Sequence, residues 1–236
     1  MKKIIVTFIL ASFILGLNAQ NLIGAWESYS TSSNGEKLKS VLIFADGYQA
    51  LTVYNATNGE FIHTNGGTWS LEDDVMTEKV EFNTDNPETI GNEYSFKVVI
   101  KDNEIKIADS NEVFIRIDDG SPGDLQGAWL MSGRIRDGKT QLRDTNRPRK
   151  TMKILSGTRF QWIAYNTETK EFKGTGGGTY NTINGEYTEH IEFFSRDNSK
   201  AGLSLNFNYN LIDSNWHHKG LSSKGDPIHE IWSIRK

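Results

Sequence analysis

Short runs of alternating apolar and polar residues fill the chain from residue 23 onward. Turn residues such as Asp46-Gly47 and Asn58-Gly59 separate the runs, and no window keeps a helical period for ten residues. Consecutive strands joined by tight turns favour a closed up-and-down barrel without exposed sheet edges, with a seven-stranded sandwich as the alternative. In the first half of the chain the pattern predicts eight strands, at residues 23–30, 38–45, 48–55, 66–72, 75–83, 92–101, 104–109 and 112–117.

The same organisation occurs twice. From Phe44 to Phe82 the first half aligns without a gap to residues 111 positions later, pairing Gly66-Gly67-Thr68-Trp69 with Gly177-Gly178-Thr179-Tyr180. Such internal similarity indicates a duplicated domain. The sequence therefore predicts an all-β protein of two tandem antiparallel up-and-down barrels, repeat 1 at residues 22–117 and repeat 2 at 125–236.

The start of each repeat carries a resemblance to a known superfamily. Gly24-Ala25-Trp26 and Gly127-Ala128-Trp129 each place a Gly-x-Trp motif on the predicted first strand, which resembles the lipocalins and other calycins. The resemblance implies a Trp across the closed end of each barrel and an Arg on the last strand, for which Arg116 and Arg235 are the candidates. Each repeat is shorter than a typical lipocalin, and the chain has no Cys.

Repeat 2 also resembles small secreted lipocalin-like proteins of bacterial polysaccharide-utilisation loci, in its segments 177–180 and 187–193. Within that group its overall organisation is similar to that of an oligosaccharide dehydratase of ulvan breakdown. The resemblance implies a carbon–oxygen lyase acting on uronic-acid-containing oligosaccharides from a marine polysaccharide such as ulvan. The alternative is a non-catalytic lipocalin-like protein that binds an anionic oligosaccharide or a small apolar ligand.

The first nineteen residues are typical of a cleaved secretory signal peptide. Lys2-Lys3 precede an apolar run over residues 4–17 that ends in Asn18-Ala19. The run is shorter than the roughly 20 residues of a membrane-spanning helix, so membrane insertion is not expected. We therefore expect a periplasmic or secreted protein, and without Cys it has no disulfide and no thiol nucleophile.

Charge differs sharply between the halves. Residues 22–120 hold 7 basic against 18 acidic side chains, a balance of −11, whereas residues 121–236 hold 17 against 12, a balance of +5. This asymmetry indicates that repeat 2 meets an anionic partner, although both charges could simply keep the surface soluble. An acidic first half and an exported chain argue against nucleic acid.

The strand predicted at residues 187–193 carries the first catalytic candidates. Alternation places Tyr187 and Glu189 on the apolar face and His190 on the other. A carboxyl group inside a barrel is an acid–base candidate, but Glu78 in repeat 1 corresponds to Glu189, which favours a structural role. His218 is the second imidazole candidate, and its neighbour His217 points the opposite way, so no metal site and no cofactor are predicted.

Substrate-binding candidates come from basic and aromatic side chains of repeat 2. Guanidinium groups bind carboxylates in a bidentate manner, although a solvated basic loop is an equal alternative. Aromatic rings could stack on sugars, or fill the barrel. For a dehydratase, an Arg would hold the carboxylate, His190 or His218 would act as base, and Tyr187 or Glu189 as acid. The binding candidates are Arg134, Arg136, Arg143, Trp162 and Tyr165.

Overall fold

The structure is a computed structural model that describes residues 22–235 except Asp109 and Pro122. The signal peptide predicted at residues 1–19 lies outside the described residues. Within them the fold is all-β, with two short 3-10 turns, Pro87–Thr89 and Asn198–Lys200. The described part contains no helix with the length and apolar character needed to span a membrane.

Repeat 1 folds into barrel one, a closed barrel of eight antiparallel strands, which confirms the predicted fold class. The fourth strand begins five residues earlier than predicted, because residues 61–65 continue the ladder with Leu51–Tyr54. The strands are β1 (Gly24–Thr31), β2 (Lys37–Ala45), β3 (Tyr48–Asn55), β4 (Phe61–Glu72), β5 (Val75–Asn83), β6 (Glu93–Lys101), β7 (Glu104–Ile107) and β8 (Val113–Asp118).

Repeat 2 folds into barrel two, closed by pairing of its first and last strands. The extra residues of this repeat lengthen the first strand and add β10, which pairs with β9 alone and stands outside the closed ring. The strands are β9 (Gly127–Arg136), β10 (Lys139–Leu142), β11 (Arg149–Leu155), β12 (Arg159–Asn166), β13 (Phe172–Ile183), β14 (Glu186–Phe194), β15 (Ser204–Ile212), β16 (Asn215–Leu221) and β17 (Pro227–Ile234).

One end of each barrel is closed by the Trp of the Gly-x-Trp motif. Trp26 donates its Nε1–H to the carbonyl of Leu22 at 3.0 Å, and Trp129 makes the same bond to Leu125 at 2.9 Å. The guanidinium of Arg116 lies 3.9 Å from the centre of the Trp26 ring, which is the position expected of a barrel-end Arg. Two tandem eight-stranded antiparallel barrels closed in this way fit a lipocalin-like fold.

The two barrels pack side by side through a shared apolar core. Outward side chains of β2 and β3 meet those of β11 and β12, and Phe61 stacks on Phe172 with ring centres 5.9 Å apart. These two residues are equivalent in the repeat, so a pseudo-twofold axis passes between them. Arg235, the second barrel-end candidate, lies in this interface and bonds Glu81 at 2.7 Å, while Ile234 faces Trp129.

Candidate functional site

Barrel two contains a cavity of about 630 Å³ that opens at the end away from Trp129. Inward side chains of β11, β12, β14, β15 and β17, together with His218 of β16, line it, while the intervening residues of β11, Met152 and Ile154, face barrel one. The volume lies in the range of small-molecule binding sites. Its polar floor is formed by Lys153, Glu189, His218, Glu230 and Trp232.

A buried ion pair forms one side of the floor. Lys153 Nζ lies 2.6 Å from Glu189 Oε1, and both side chains are only 5% exposed. Tyr187 donates its hydroxyl to the same oxygen at 3.0 Å. Burial, and then the charge of Glu189, raise the pKa of Tyr187 well above its ordinary value, so the phenol stays protonated.

Aromatic rings surround the ammonium group of Lys153. Ring centres lie between 5.0 and 6.0 Å from Nζ, close enough for cation–π attraction. The carboxylate and the rings together compensate for the removal of this charge from water. The rings are those of Phe160, Tyr187, Phe207, Trp216 and Trp232.

His218 forms the other side of the floor. Its Nδ1 lies 3.3 Å from Glu230 Oε2, which also accepts the Trp232 Nε1–H at 3.2 Å. Its Nε2 is buried and has no hydrogen-bond partner among the described residues. Burial and the nearby charge of Lys153 lower the pKa of His218, so the imidazole is neutral at pH 7. Because the Nδ1–H of His218 donates to the Glu230 carboxylate, the ring nitrogen with an available lone pair is Nε2.

Glu230 keeps its charge although only 23% of its side chain is exposed. Burial raises its pKa, but the hydrogen bond from His218, the charge of Lys153 and the Trp232 indole outweigh this, and the net pKa is lowered. The floor therefore combines a cation, two carboxylates and a neutral imidazole with a free lone pair.

The mouth of the cavity is cationic. Four basic side chains line it against a single acid, Asp197. Arg196 also lies over the Trp162 ring at 5.7 Å, which makes a flat surface beside the opening. Within the described residues, neither Arg149 nor Lys224 has an acidic partner. The four basic residues are Arg149, Arg196, Lys200 and Lys224.

Barrel one lacks the cation of the floor. Leu42 pairs with Trp26 as Lys153 pairs with Trp129, so an apolar residue stands where barrel two has its cation. Its acid, Glu78, has no hydrogen bond or ion pair in the described part of the chain. A cleft of about 670 Å³ does lie beside β1 and β8, but Glu27 and Glu112 are its charged lining residues. The charged lining of the barrel one cleft is thus acidic, whereas barrel two has cationic lining residues in its cavity and, at Arg134 and Arg143, in a smaller cleft of about 230 Å³.

Four of the predicted site residues come together in this cavity. Glu189 and His218 form its floor, Tyr187 bonds Glu189 from behind, and Trp162 lines its mouth. As alternation predicts, His217 lies on the outer face, where its Nδ1 is 3.3 Å from His229 Nε2. In the described part of the chain no group of three or more His, Asp or Glu side chains is arranged to hold a metal ion.

The other predicted residues lie elsewhere. His190 is exposed on the outer face of β14 and bonds Ser204 at 2.8 Å, because it alternates with Glu189. Arg134 and Arg136 are exposed on the β9–β10 hairpin, and Arg143 bonds the carbonyl of Arg149 at 3.0 Å beside the mouth. Tyr165 is buried between the barrels, where it donates to Glu81 at 2.6 Å.

Sequence reasoning gave no role to Lys153, to Glu230 or to any of the four mouth cations. A signal for Lys153 existed: it stands 111 positions after Leu42, in a register that is apolar in repeat 1. Arg149, Thr151 and Lys153 also share one face of β11, which alternation alone could have indicated. Nothing in the sequence connects Arg196 or Lys224 to this cavity.

The model of a protein family described as a domain of unknown function, DUF4488, matches residues 124–234. The matched segment is barrel two, the half of the chain that contains the cavity. No curated protein matches the chain.

Proposed function

We propose that barrel two binds an anionic, uronate-containing oligosaccharide in its cavity and eliminates water from it, as a hydro-lyase. The observation that carries the proposal is the floor, where a neutral His218 with a free Nε2 stands beside the cation Lys153. Barrel one has the same framework without these groups, which indicates that they are not needed to form a barrel. The cationic mouth supplies the charge complementarity for an anionic sugar chain.

Elimination next to a carboxylate needs a base, a group that stabilises the developing negative charge, and an acid for the leaving hydroxyl. His218 Nε2 acts as the base, since Glu230 holds its other nitrogen and fixes the tautomer. Lys153 has N–H donors beyond its bond to Glu189 and stabilises the enolate-like oxygens. As the C–O bond breaks, the hydroxyl leaves as water with a proton from Lys153 Nζ, and the proton that His218 took from the C–H bond then returns to Lys153 through solvent, so that the floor regains its starting state while Tyr187 stays protonated throughout.

The test is incubation of the purified protein with unsaturated uronate oligosaccharides that a polysaccharide lyase releases from ulvan, followed by mass spectrometry. We expect a product that has lost the mass of one water. His218→Ala should lower turnover by a factor of about 10² to 10⁴, the usual contribution of a general base. His217→Ala is the matched control, because that ring lies on the outer face of the same strand.

Three outcomes would contradict this proposal. Full activity in a folded His218→Ala protein would remove the base. Loss of activity in His190→Ala alone would move the chemistry to the outer face of β14. Unchanged oligosaccharide mass, with or without binding, would rule out elimination for this substrate class.

A second function, binding without catalysis, is favoured by the pairing of the floor groups with each other. Lys153, Glu189 and Tyr187 form one closed set and His218, Glu230 and Trp232 another, as in a purely structural polar network. This function predicts saturable binding of the intact oligosaccharide. In that case His218→Ala should weaken binding without any product appearing for either protein.

A further inference from the structure

The shape and charge of the cavity indicate which part of a sugar chain it accepts, an inference that rests on the proposed function. We propose that the cavity takes the end of a chain, with the terminal residue on the floor and the anionic group of the next residue bound at the mouth by Arg149 and Lys224. The minimum ligand is then a disaccharide with a charged second residue.

The inner end of the cavity is closed. Trp129, Leu155 and Trp216 are buried below the floor, and the ring centres of the two Trp residues lie 5.8 Å apart. Tyr180 seals the adjoining turn by donating its hydroxyl to the carbonyl of Ser156 at 2.5 Å. A chain that enters from the mouth meets packed side chains, so an internal segment cannot pass through the barrel.

One strand connects the floor to the mouth. Arg149, Thr151 and Lys153 are successive inward residues of β11, and all three line the cavity. A strand rises about 3.3 Å per residue, so the Cα atoms of Arg149 and Lys153 lie about 13 Å apart. This backbone spacing exceeds the length of a single sugar ring, so a ligand whose terminal ring lies at Lys153 comes level with Arg149 at its second residue.

The charges differ along this span. On the floor one cation, Lys153, stands with two carboxylates, Glu189 and Glu230, so the floor has no surplus of positive charge, and the only anionic group it takes is the carboxylate beside the reacting carbon, held by the remaining N–H donors of Lys153. At the mouth, Arg149 and Lys224 have no acidic partner within the described residues and are free to bind one. A carboxylate or another anionic group on the second residue therefore belongs at the mouth.

The probes are oligogalacturonates of one to four residues, measured by titration calorimetry at low salt. We expect affinity to rise about tenfold or more from one residue to two, as one added charge-assisted contact provides, and little from two to four.

The Arg149→Ala/Lys224→Ala protein should lose this rise in affinity from one residue to two, and should bind oligomers of every length with the affinity of the monomer. Arg147→Ala is the matched control, since Arg147 is 73% exposed and paired with Asp144 in a loop. Long polygalacturonate should compete weakly at equal uronate concentration, because it offers few ends.

Two results would overturn this inference and leave the proposed function intact. The first is an affinity that stays constant, or rises steadily, with oligomer length. The second is a rise in affinity from one residue to two that survives the double substitution. Strong competition by the long polymer would also contradict a chain-end site. If no oligogalacturonate binds to the protein, this inference fails, whereas the proposed function stands or falls with the loss of water from the unsaturated uronate oligosaccharides.

Discussion

At the scale of single residues, the clearest contrast lies between two equivalent acids. Glu189 in barrel two bonds Lys153 and Tyr187, whereas Glu78 in barrel one has Leu42 in place of the lysine. With no cation to offset it, burial raises the pKa of Glu78 from 4.5 to about 7. The difference between Leu42 and Lys153 thus distinguishes the unpaired Glu78 of barrel one from the paired Glu189 in the floor of barrel two.

Glu78 should make the protein less stable as pH rises. Its pKa is higher in the folded than in the unfolded state, so its contribution is fully present below pH 4.5 and is lost as pH rises through about 7. The full shift corresponds to on the order of 3 kcal/mol. We expect Glu78→Gln to be more stable than the wild type at pH 8 and to lose most of this pH dependence, as measured by urea unfolding followed by tryptophan fluorescence.

The matched control is Glu72→Gln, an exposed acid on the neighbouring strand β4. It should keep the wild-type pH profile. A Glu78→Gln protein whose stability falls with pH as steeply as the wild type would show that another group causes the dependence.

At the scale of elements, β13 shows why the Gly-Gly-Thr segment is repeated. The ladder between β13 and β14 shifts register between Gly177 and Gly178, and β4 and β5 do the same at Gly66 and Gly67. A Cβ on Gly178 would lie 2.0 Å from the carbonyl oxygen of His190, so only glycine allows the strands to approach this closely. The bulge lies on the same strand pair that carries Glu189.

Gly178→Ala should therefore destabilise barrel two by about 3 kcal/mol, because a methyl group against backbone forces the strands apart. Gly185→Ala is the control: it has a positive φ of 81° but open space around it, and should cost only about 1 kcal/mol. Thermal unfolding measures both. Equal losses of stability would mean that strand proximity at Gly178 is unimportant.

Alternation and turn residues were sufficient to predict the eight strands of barrel one, because local periodicity determines them. They could not show which strands meet. Tyr165 was predicted to bind sugar, yet it faces barrel one, since the outward side of β12 is buried by a second barrel. The mouth cations come from separate strands and loops, so their proximity depends on barrel closure rather than on spacing in the sequence.

At the scale of the whole molecule, the two barrels are joined as the halves of a symmetric dimer would be. Tyr54 donates to Glu192 of the other barrel at 2.5 Å, and the equivalent Tyr165 donates to Glu81 at 2.6 Å. Each carboxylate also meets a buried arginine, Arg159 or Arg235. The shared apolar core lies between these two polar clusters, and β11, β12 and β14 each have one face in it and the other toward the cavity.

This interface should weaken in acid. Burial raises the pKa of Glu192, but Arg159, Tyr54 and Lys39 outweigh burial and hold the pKa below its ordinary value of 4.5. The unfolded state then takes up the proton first as pH falls, so the stabilisation is present above pH 4.5 and is lost below it. Glu192→Gln should cost about 2 kcal/mol at pH 7, less than a fully buried pair because the side chain is 30% exposed, and much less at pH 3.

Calorimetry at both pH values measures this, and Glu186→Gln, an exposed acid on the same strand, is the control that should match the wild type. Because the apolar core is shared, we expect the barrels to unfold in one transition, and Glu192→Gln to shift that whole transition. A shift confined to one of two transitions would mean that the barrels fold independently. In that case barrel one would not support the strands that carry Lys153 and Glu189, and the cavity would be a property of barrel two alone.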